Sequence, residues 1–137
     1  MTEAFPRSTE LPKQSPLFWV THKDRYLRQL LIRDIESVTK RALVVYFANC
    51  NATSSGIDSN DDTYVAELLN ACGDKPVDLF LETNGGETDA TEKLCSLLRA
   101  HNRDLRVIVP RRAKSNGTVL ALAGAEIVMG SESELGP

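Results

Sequence analysis

Residues 77–88 read VDLFLETNGGET, and this stretch decides the fold. Val77–Thr83 has the length and composition of a strand, Gly85-Gly86 breaks it, and Asp89–His101 resumes with Ala90, Leu94, Leu97 and Leu98 at helical spacing. A strand that hands over to a helix of this length is half of a parallel crossover unit. The alternation continues on both sides. Upstream, ALVVYFA at 42–48 is a continuous apolar run, expected for a strand covered on both faces, and a polar loop at 54–62 leads into a helix at 61–72 with Val65, Leu68, Leu69 and Cys72 on one side. Downstream, Leu105–Val109 is a strand closed by Pro110, Thr118–Ala123 a small-residue helical stretch, and Glu126–Met129 a short strand. The fold class is α/β with a mainly parallel sheet.

Composition bounds what such a fold does. The chain has 137 residues, 42% hydrophobic and 26% charged, with a formal net charge of −3. One domain of this size buries roughly two-thirds of its unfolded surface and needs no disulfide or metal to hold it. The apolar fraction excludes a disordered chain. No apolar run approaches the ~20 residues that span a bilayer, so no transmembrane segment is expected. The acidic balance gives no electrostatic reason to expect nucleic acid as a partner. MTEAFPRSTELPKQ lacks the apolar stretch of a secretory signal, which points to a cytoplasmic protein. Cys50, Cys72 and Cys95 are odd in number and have no metal-ligand spacing, so neither a disulfide framework nor a metal site is expected. No cofactor is expected either.

The N-terminal region reads differently from the core. Residues 1–16 carry Pro6, Pro12 and Pro16 and read as a flexible arm, with a single domain over 17–137. An amphipathic helix is expected at about 21–40, its stripe formed by Tyr26, Leu27, Leu30, Leu31, Ile35 and Val38 and packed on the domain or on a neighbouring subunit; the core begins at 42. Asp24, Asp34 and Glu36 interrupt its basic face and argue against a membrane-surface helix.

In a parallel sheet, ligands gather where strands hand over to helices at their carboxyl ends. Two such junctions carry unusual residues. Glu82–Thr88 holds the glycine pair, whose backbone can turn with positive φ and expose N–H donors beside a helix start; the alternative is a plain tight turn. Arg111–Thr118 (RRAKSNGT) holds Ser115 where a helix begins, in an A-x-S-x-G arrangement like a nucleophile elbow; the alternative is a helix N-cap. No histidine follows Ser115, which excludes an α/β-hydrolase. One helix and one strand separate Gly86 from Ser115, enough to return the chain to the same sheet edge. Acyl transfer needs a nucleophile and two N–H donors facing the developing oxyanion, and Ser115 Oγ with the Gly86 and Asn116 amides forms such a set.

Together these residues resemble a known family. DLFLETNGG, then RVIVPRRAKSNGTVLALAGAEIVMGSESELGP, is similar to the Clp-protease/crotonase superfamily, and within it to the serine dehydrogenase proteinases, relatives of signal peptide peptidase A. SPLFWVTHKDRYLRQLLIRDIESVTKRALVVYFAN also resembles that family's N-terminal region, so the likeness covers nearly everything after Ser15. The resemblance implies a ClpP/crotonase-like spiral of ββα units and metal-free hydrolysis of peptide or protein substrates. It implies Ser115 as nucleophile, the amides of Gly86 and Asn116 as oxyanion hole, Gly85 along the substrate, and a homo-oligomer as the working form.

Two positions depart from the family pattern. Asn116 stands where a smaller residue, often alanine, is usual, and its side chain is expected to narrow the site or to hydrogen-bond Ser115. The general base, a histidine just past the segment matching Ser133–Pro137 or a lysine further on, lies beyond the last residue. The expectation is a protease domain incomplete at its C-terminus and weakly active or inactive as it stands. His101 ends a helix far from the site, His22 lies in the N-terminal helix, and Arg111 and Arg112 form a solvated loop end or hold a substrate carboxylate. Lys114 is the best internal base, against a simpler role facing solvent or pairing with an acid. The rival functions are a non-catalytic interaction or assembly subunit with the same fold, and a crotonase-like acyl-CoA enzyme.

Overall fold

A computed structural model describes residues 15–101 and 104–137. All of the expected arm except Ser15 and Pro16 lies outside the described residues. The chain divides into two compact units, Met1–Leu43 and Val44–Pro137.

The first unit contains two helices where one was expected: α1 (Pro16–Thr21) and α2 (Lys23–Thr39). Pro16 is no part of an arm. Ser15 Oγ accepts from the Phe18 N–H at 3.1 Å, and Pro16 occupies the first turn, where its missing N–H costs nothing. The break falls at His22 (φ −116°, ψ 38°), whose ring stacks on Phe18 with centroids 4.3 Å apart. α2 ends at Lys40, in the left-handed region at φ 60°, with its N–H on the Glu36 carbonyl. The expected apolar stripe is largely open: Leu27, Leu31 and Val38 are exposed. The buried residue of α2 is Glu36, whose carboxylate accepts from the Leu43 N–H at 2.8 Å and so holds the incoming strand.

The elements that follow are β1 (Ala42–Phe47), α3 (Asp61–Cys72), β2 (Val77–Glu82), α4 (Thr88–His101), β3 (Leu105–Val109), β4 (Arg112–Lys114), α5 (Asn116–Ala121), β5 (Glu126–Met129) and β6 (Glu134–Gly136). Four strands form the main sheet in the order β1-β2-β3-β5, with β2–β3 and β3–β5 parallel. Val77, Leu79, Leu81, Val107 and Val109 are buried in it, as are Leu94 and Leu98 of α4 and Leu120 of α5. Each such side chain contributes about 1.5–3 kcal/mol relative to exposure. β1, an edge strand, is covered over only half its length: Ala42–Val44 are buried, but Val45 and Phe47 are exposed. Asp78 of β2 is fully buried opposite Arg106 of β3, and the guanidinium grips the carboxylate at 3.0 and 2.7 Å. A bidentate pair of this kind fixes the register of these two strands.

A second layer was not legible in the sequence. β4 pairs in parallel with β6, Thr83 bridges Ala113, and Ile57 bridges Gly86. The first three main-sheet strands therefore each run into a short excursion in this layer before a helix: β1 to Ile57 to α3, β2 to Thr83–Gly86 to α4, β3 to β4 to α5. This repeat is the expected spiral of ββα units.

Candidate active site

The second layer is what brings the two unusual junctions together. Thr83, fully buried at the end of β2, donates its N–H to the Arg112 carbonyl (3.2 Å) and accepts from the Lys114 N–H (3.0 Å). Its hydroxyl accepts from the Gly85 N–H at 3.0 Å and so bends the chain into the glycine pair. Gly85 has φ 106°, and a Cβ there would lie 2.9 Å from Ser115 Cβ and 3.1 Å from the Asn116 nitrogen. Glycine is required for both reasons: the backbone is left-handed, and the serine turn packs directly on it.

Gly86 is held edge-on by Ile57. The Ile57 N–H donates to the Gly85 carbonyl (2.9 Å) and the Glu87 N–H donates to the Ile57 carbonyl (3.0 Å). Both flanking peptides thus face Ile57, so in this extended segment the N–H and C=O of Gly86 itself point the other way. On that side lies Asn116, whose Nδ2 donates to the Gly86 carbonyl at 2.7 Å and to Thr88 Oγ1 at 3.2 Å. The Asn116 side chain therefore does not make the hydrogen bond to Ser115 that was one of the two expectations; it ties the start of α5 to the glycine turn and to the start of α4.

Ser115 occupies the helix N-cap position of α5, but its side chain caps nothing. Its backbone sits at φ 53°, ψ −123°, a region that costs a non-glycine residue about 1–3 kcal/mol. Its N–H donates to the Gly136 carbonyl at 2.6 Å, and Thr118 Oγ1 accepts from the Gly136 N–H at 2.9 Å, so β6 braces the strained turn. The residue is exposed. Among the described residues, nothing hydrogen-bonds the Ser115 hydroxyl, the Gly86 N–H or the Asn116 N–H. A serine hydroxyl and two backbone amides without hydrogen-bond partners among the described residues thus lie on two turns packed against each other through Gly85.

The titratable residues nearby are differently placed. Lys114 Nζ is 3.3 Å from Glu134 Oε2 and donates to the Leu135 carbonyl at 3.2 Å, so its ammonium is engaged with β6. Arg112 belongs to β4 rather than to a loop end. His101 is the last residue of α4, about 20 Å along the helix from the glycine turn at 1.5 Å per residue, and its Nε2 is buried without a hydrogen-bond partner among the described residues. His22 belongs to the other unit.

Beside the turn is a cavity of about 290 Å³ lined by Tyr46, Phe47, Ser55, Gly56 and Asp61. Gly56 backs onto Gly86, where a Cβ would be 3.5 Å from the Gly86 Cα. The Tyr46 hydroxyl donates to the Asp61 carboxylate, and burial, followed by that carboxylate, pushes the phenol well above its ordinary pKa. Burial likewise raises the Cys95 thiol; Cys50, Cys72 and Cys95 are all half-buried and none is in a disulfide. Lys93, paired with Asp62, lowers the Asp62 carboxyl. Among the described residues, no group of three or more His, Cys, Asp or Glu side chains is placed to hold a metal ion. No helix there is long and apolar enough to cross a membrane. Sequence reasoning missed Ile57, Thr83 and Gly136; each acts through its backbone or a single hydroxyl, and the one outward signal is a lone apolar Ile57 inside a polar loop.

Comparison with known proteins places this geometry. The family model of the ClpP-like SDH-type serine proteinases matches residues 55–137. Two uncharacterized proteins of Methanocaldococcus jannaschii are 45% and 39% identical over 64 residues, which are 47% of this chain and 22% of each relative. The chain thus spans about a fifth of the length of the curated relatives it matches. Among solved structures, a ClpP1 point mutant from Listeria monocytogenes superposes with a TM-score of 0.53 at 16% identity, covering 69% of this chain and 51% of that one. A transcarboxylase 12S, described as a hexamer assembly with hydrolyzed methylmalonyl-coenzyme A bound, superposes with a TM-score of 0.52 at 15% identity, covering 69% and 21%. Both show the fold.

Proposed function

The chain belongs to the ClpP-like SDH-type serine proteinases, and on that premise we propose that it is a serine peptidase module whose nucleophile is Ser115. The supporting observation is the serine itself: exposed, at φ 53°, capping no helix and packed on Gly85. Ser115 Oγ attacks the substrate carbonyl carbon as its proton passes to a base. The carbonyl π electrons move to oxygen, and the oxyanion is met by the N–H groups of Gly86 and Asn116, with Gly85 along the substrate. Collapse expels the amine with that proton, and water releases the acyl group by the same path. Removing one such donor costs about 10²–10³ in rate.

Lys114 is not assigned as the base, because Glu134 and the Leu135 carbonyl hold its ammonium. The Gly136 carbonyl accepts from the Ser115 N–H, so β6 lies beside the serine turn. Self-association is part of the proposal, supported by the open apolar residues of α2 and by the hexameric description of the transcarboxylase neighbour.

The test is labelling by a fluorophosphonate probe, on this chain and on any longer form its coding sequence encodes. Covalent adduct at Ser115, absent in Ser115→Ala, is the expected result. An adduct that survives the substitution, or no adduct on the longer form, rejects the assignment. The acyl-CoA reading has no residue here that favours it, and a purely structural subunit gives no reason for a strained serine.

A further inference from the structure

We propose that the Asn116 side chain is a positioning residue: it locks the glycine turn onto the serine turn and covers the one carbonyl that faces the oxyanion. The proposal rests on the peptidase reading above. Because Ile57 engages both peptides flanking Gly86, the Gly86 N–H and C=O emerge on the same side. The N–H is the donor the oxyanion needs. The C=O is a liability there, since its negative end opposes the charge that develops in the transition state. Asn116 Nδ2 lies 2.7 Å from that oxygen and spends its second hydrogen on Thr88 Oγ1 at 3.2 Å.

Both hydrogens of Nδ2 are used, so the side-chain amide is not itself a third oxyanion donor. It acts through Gly86. Ile57 fixes the turn from one side and Asn116 from the other, and the two backbone donors, on Gly86 and on Asn116, are held at a set spacing by one side chain. A smaller residue at 116 would keep its backbone N–H and lose both functions. Preorganised dipoles that need not move during reaction are what make such sites effective.

Asn116→Asp is nearly isosteric but has no hydrogens to donate, and it sets a carboxylate beside the Gly86 carbonyl. The expected result is a fall of about 100-fold in the rate constant for Ser115 labelling by the fluorophosphonate, the effect of displacing a reacting group by about 1 Å, with the concentration for half-saturation unchanged. Labelling within about twofold of the parent overturns the proposal. Amide hydrogen exchange gives a readout independent of chemistry. The Ile57 and Glu87 amides, which bond across the turn, should exchange at least tenfold faster in the variant, while amides of β2 and β3 keep their protection; equal exchange at Ile57 and Glu87 also overturns the proposal. Should Asn116→Asp fail to fold, Asn116→Ala takes its place with the same two readouts. If neither the parent nor any longer form is labelled but the exchange difference is seen, the peptidase reading falls and the clamp stands.

Discussion

The two junctions of the site solve one geometric problem with different residues. After β2 the chain turns through Gly85 at φ 106°, and after β3 through Ser115 at φ 53°. Glycine adopts positive φ freely, whereas serine there stores about 1–3 kcal/mol. At the first junction the residue type follows from conformation and space together, because Gly85 is left-handed and a Cβ on Gly85 or Gly86 would strike backbone or the Ser115 Cβ. At the second, Ser115 is exposed and nothing in the packing demands a side chain. The difference teaches where to look for chemistry: glycine marks the turn that must be shaped, and a strained, uncapping serine marks the turn that must carry a group.

The comparison breaks if the junctions are not held on one edge, and that depends on the Asp78–Arg106 pair. Arg106→Leu leaves a fully buried carboxylate without its guanidinium, which costs about 3–5 kcal/mol. Denaturant unfolding of Arg106→Leu should show that loss, and the double variant Asp78→Leu/Arg106→Leu should recover most of it. A loss below about 1 kcal/mol would mean that register is set elsewhere, by the Val77–Phe80 ladder alone.

Next in size is Gly86→Ala. Its Cβ would lie 2.1 Å from the Ile57 nitrogen and 2.6 Å from the Ile57 carbonyl oxygen. Backbone cannot rotate away as a side chain can, so the Ile57 bridge must open. The stability loss is expected in the upper part of the ~1–3 kcal/mol range for overpacking, together with loss of Ser115 labelling. Unaltered melting and labelling would show that the turn tolerates a side chain and that glycine there is incidental.

Much of this contrast was legible in the residues themselves. VDLFLE and LRVIV are long enough and apolar enough to declare strands, and the helices at 61–72 and 88–101 announce themselves by spacing, because burial on a regular face imposes a period. The pairing of the glycine turn with Ser115 also follows from chain order in a parallel sheet. What stayed hidden lies in the second layer. RAK and ELG are three residues each, with no alternation to read, and they form strands only because Thr83 and Gly136 supply partners from far along the chain. Ile57 looks like a stray apolar residue in a polar loop, and its role is entirely in its N–H and C=O. Of the two roles expected for the Asn116 side chain, narrowing the site or bonding Ser115, the second came from sequence adjacency, whereas its amide reaches across to the preceding junction. The break at His22 and the exposed outer half of β1 were misread because the periodicity of an apolar pattern does not show what covers it.

The third junction, after β1, sharpens the comparison as a control with neither glycine pair nor strained serine. Tyr46 there donates to Asp61 at the rim of the cavity, and burial, reinforced by Asp61, raises its pKa in the folded state. A raised folded pKa means that the native state retains a proton the unfolded chain has released. The contribution is therefore whole below the unfolded tyrosine value of about 10 and is lost as pH rises beyond it. Unfolding free energies at increasing pH should fall more steeply above about pH 10 in the parent than in Tyr46→Phe. Absorbance titration should show one of the three tyrosines ionising late. Parallel curves would remove Tyr46 from the account of this junction and leave the other two untouched.

The smallest effect separates shape from chemistry most cleanly. Ser115→Ala keeps the Cβ and hence the strain, so stability should stay within ~0.5 kcal/mol of the parent, the usual span for exposed positions. Ser115→Gly releases the strain but adds freedom to the unfolded chain, worth about 0.4–1 kcal/mol in the opposite sense. Against a strain of about 1–3 kcal/mol, the balance favours a gain near 1 kcal/mol, readable as a shift in the denaturant midpoint at constant slope. Both variants lose the hydroxyl and must lose the probe adduct. A glycine variant that is more stable and unreactive beside an alanine variant that is unchanged and unreactive would show that the fold carries the serine at a cost, for its oxygen alone. If Ser115→Gly destabilises as any other surface glycine does, the backbone at 115 is not strained, and the contrast between the two turns loses its physical basis.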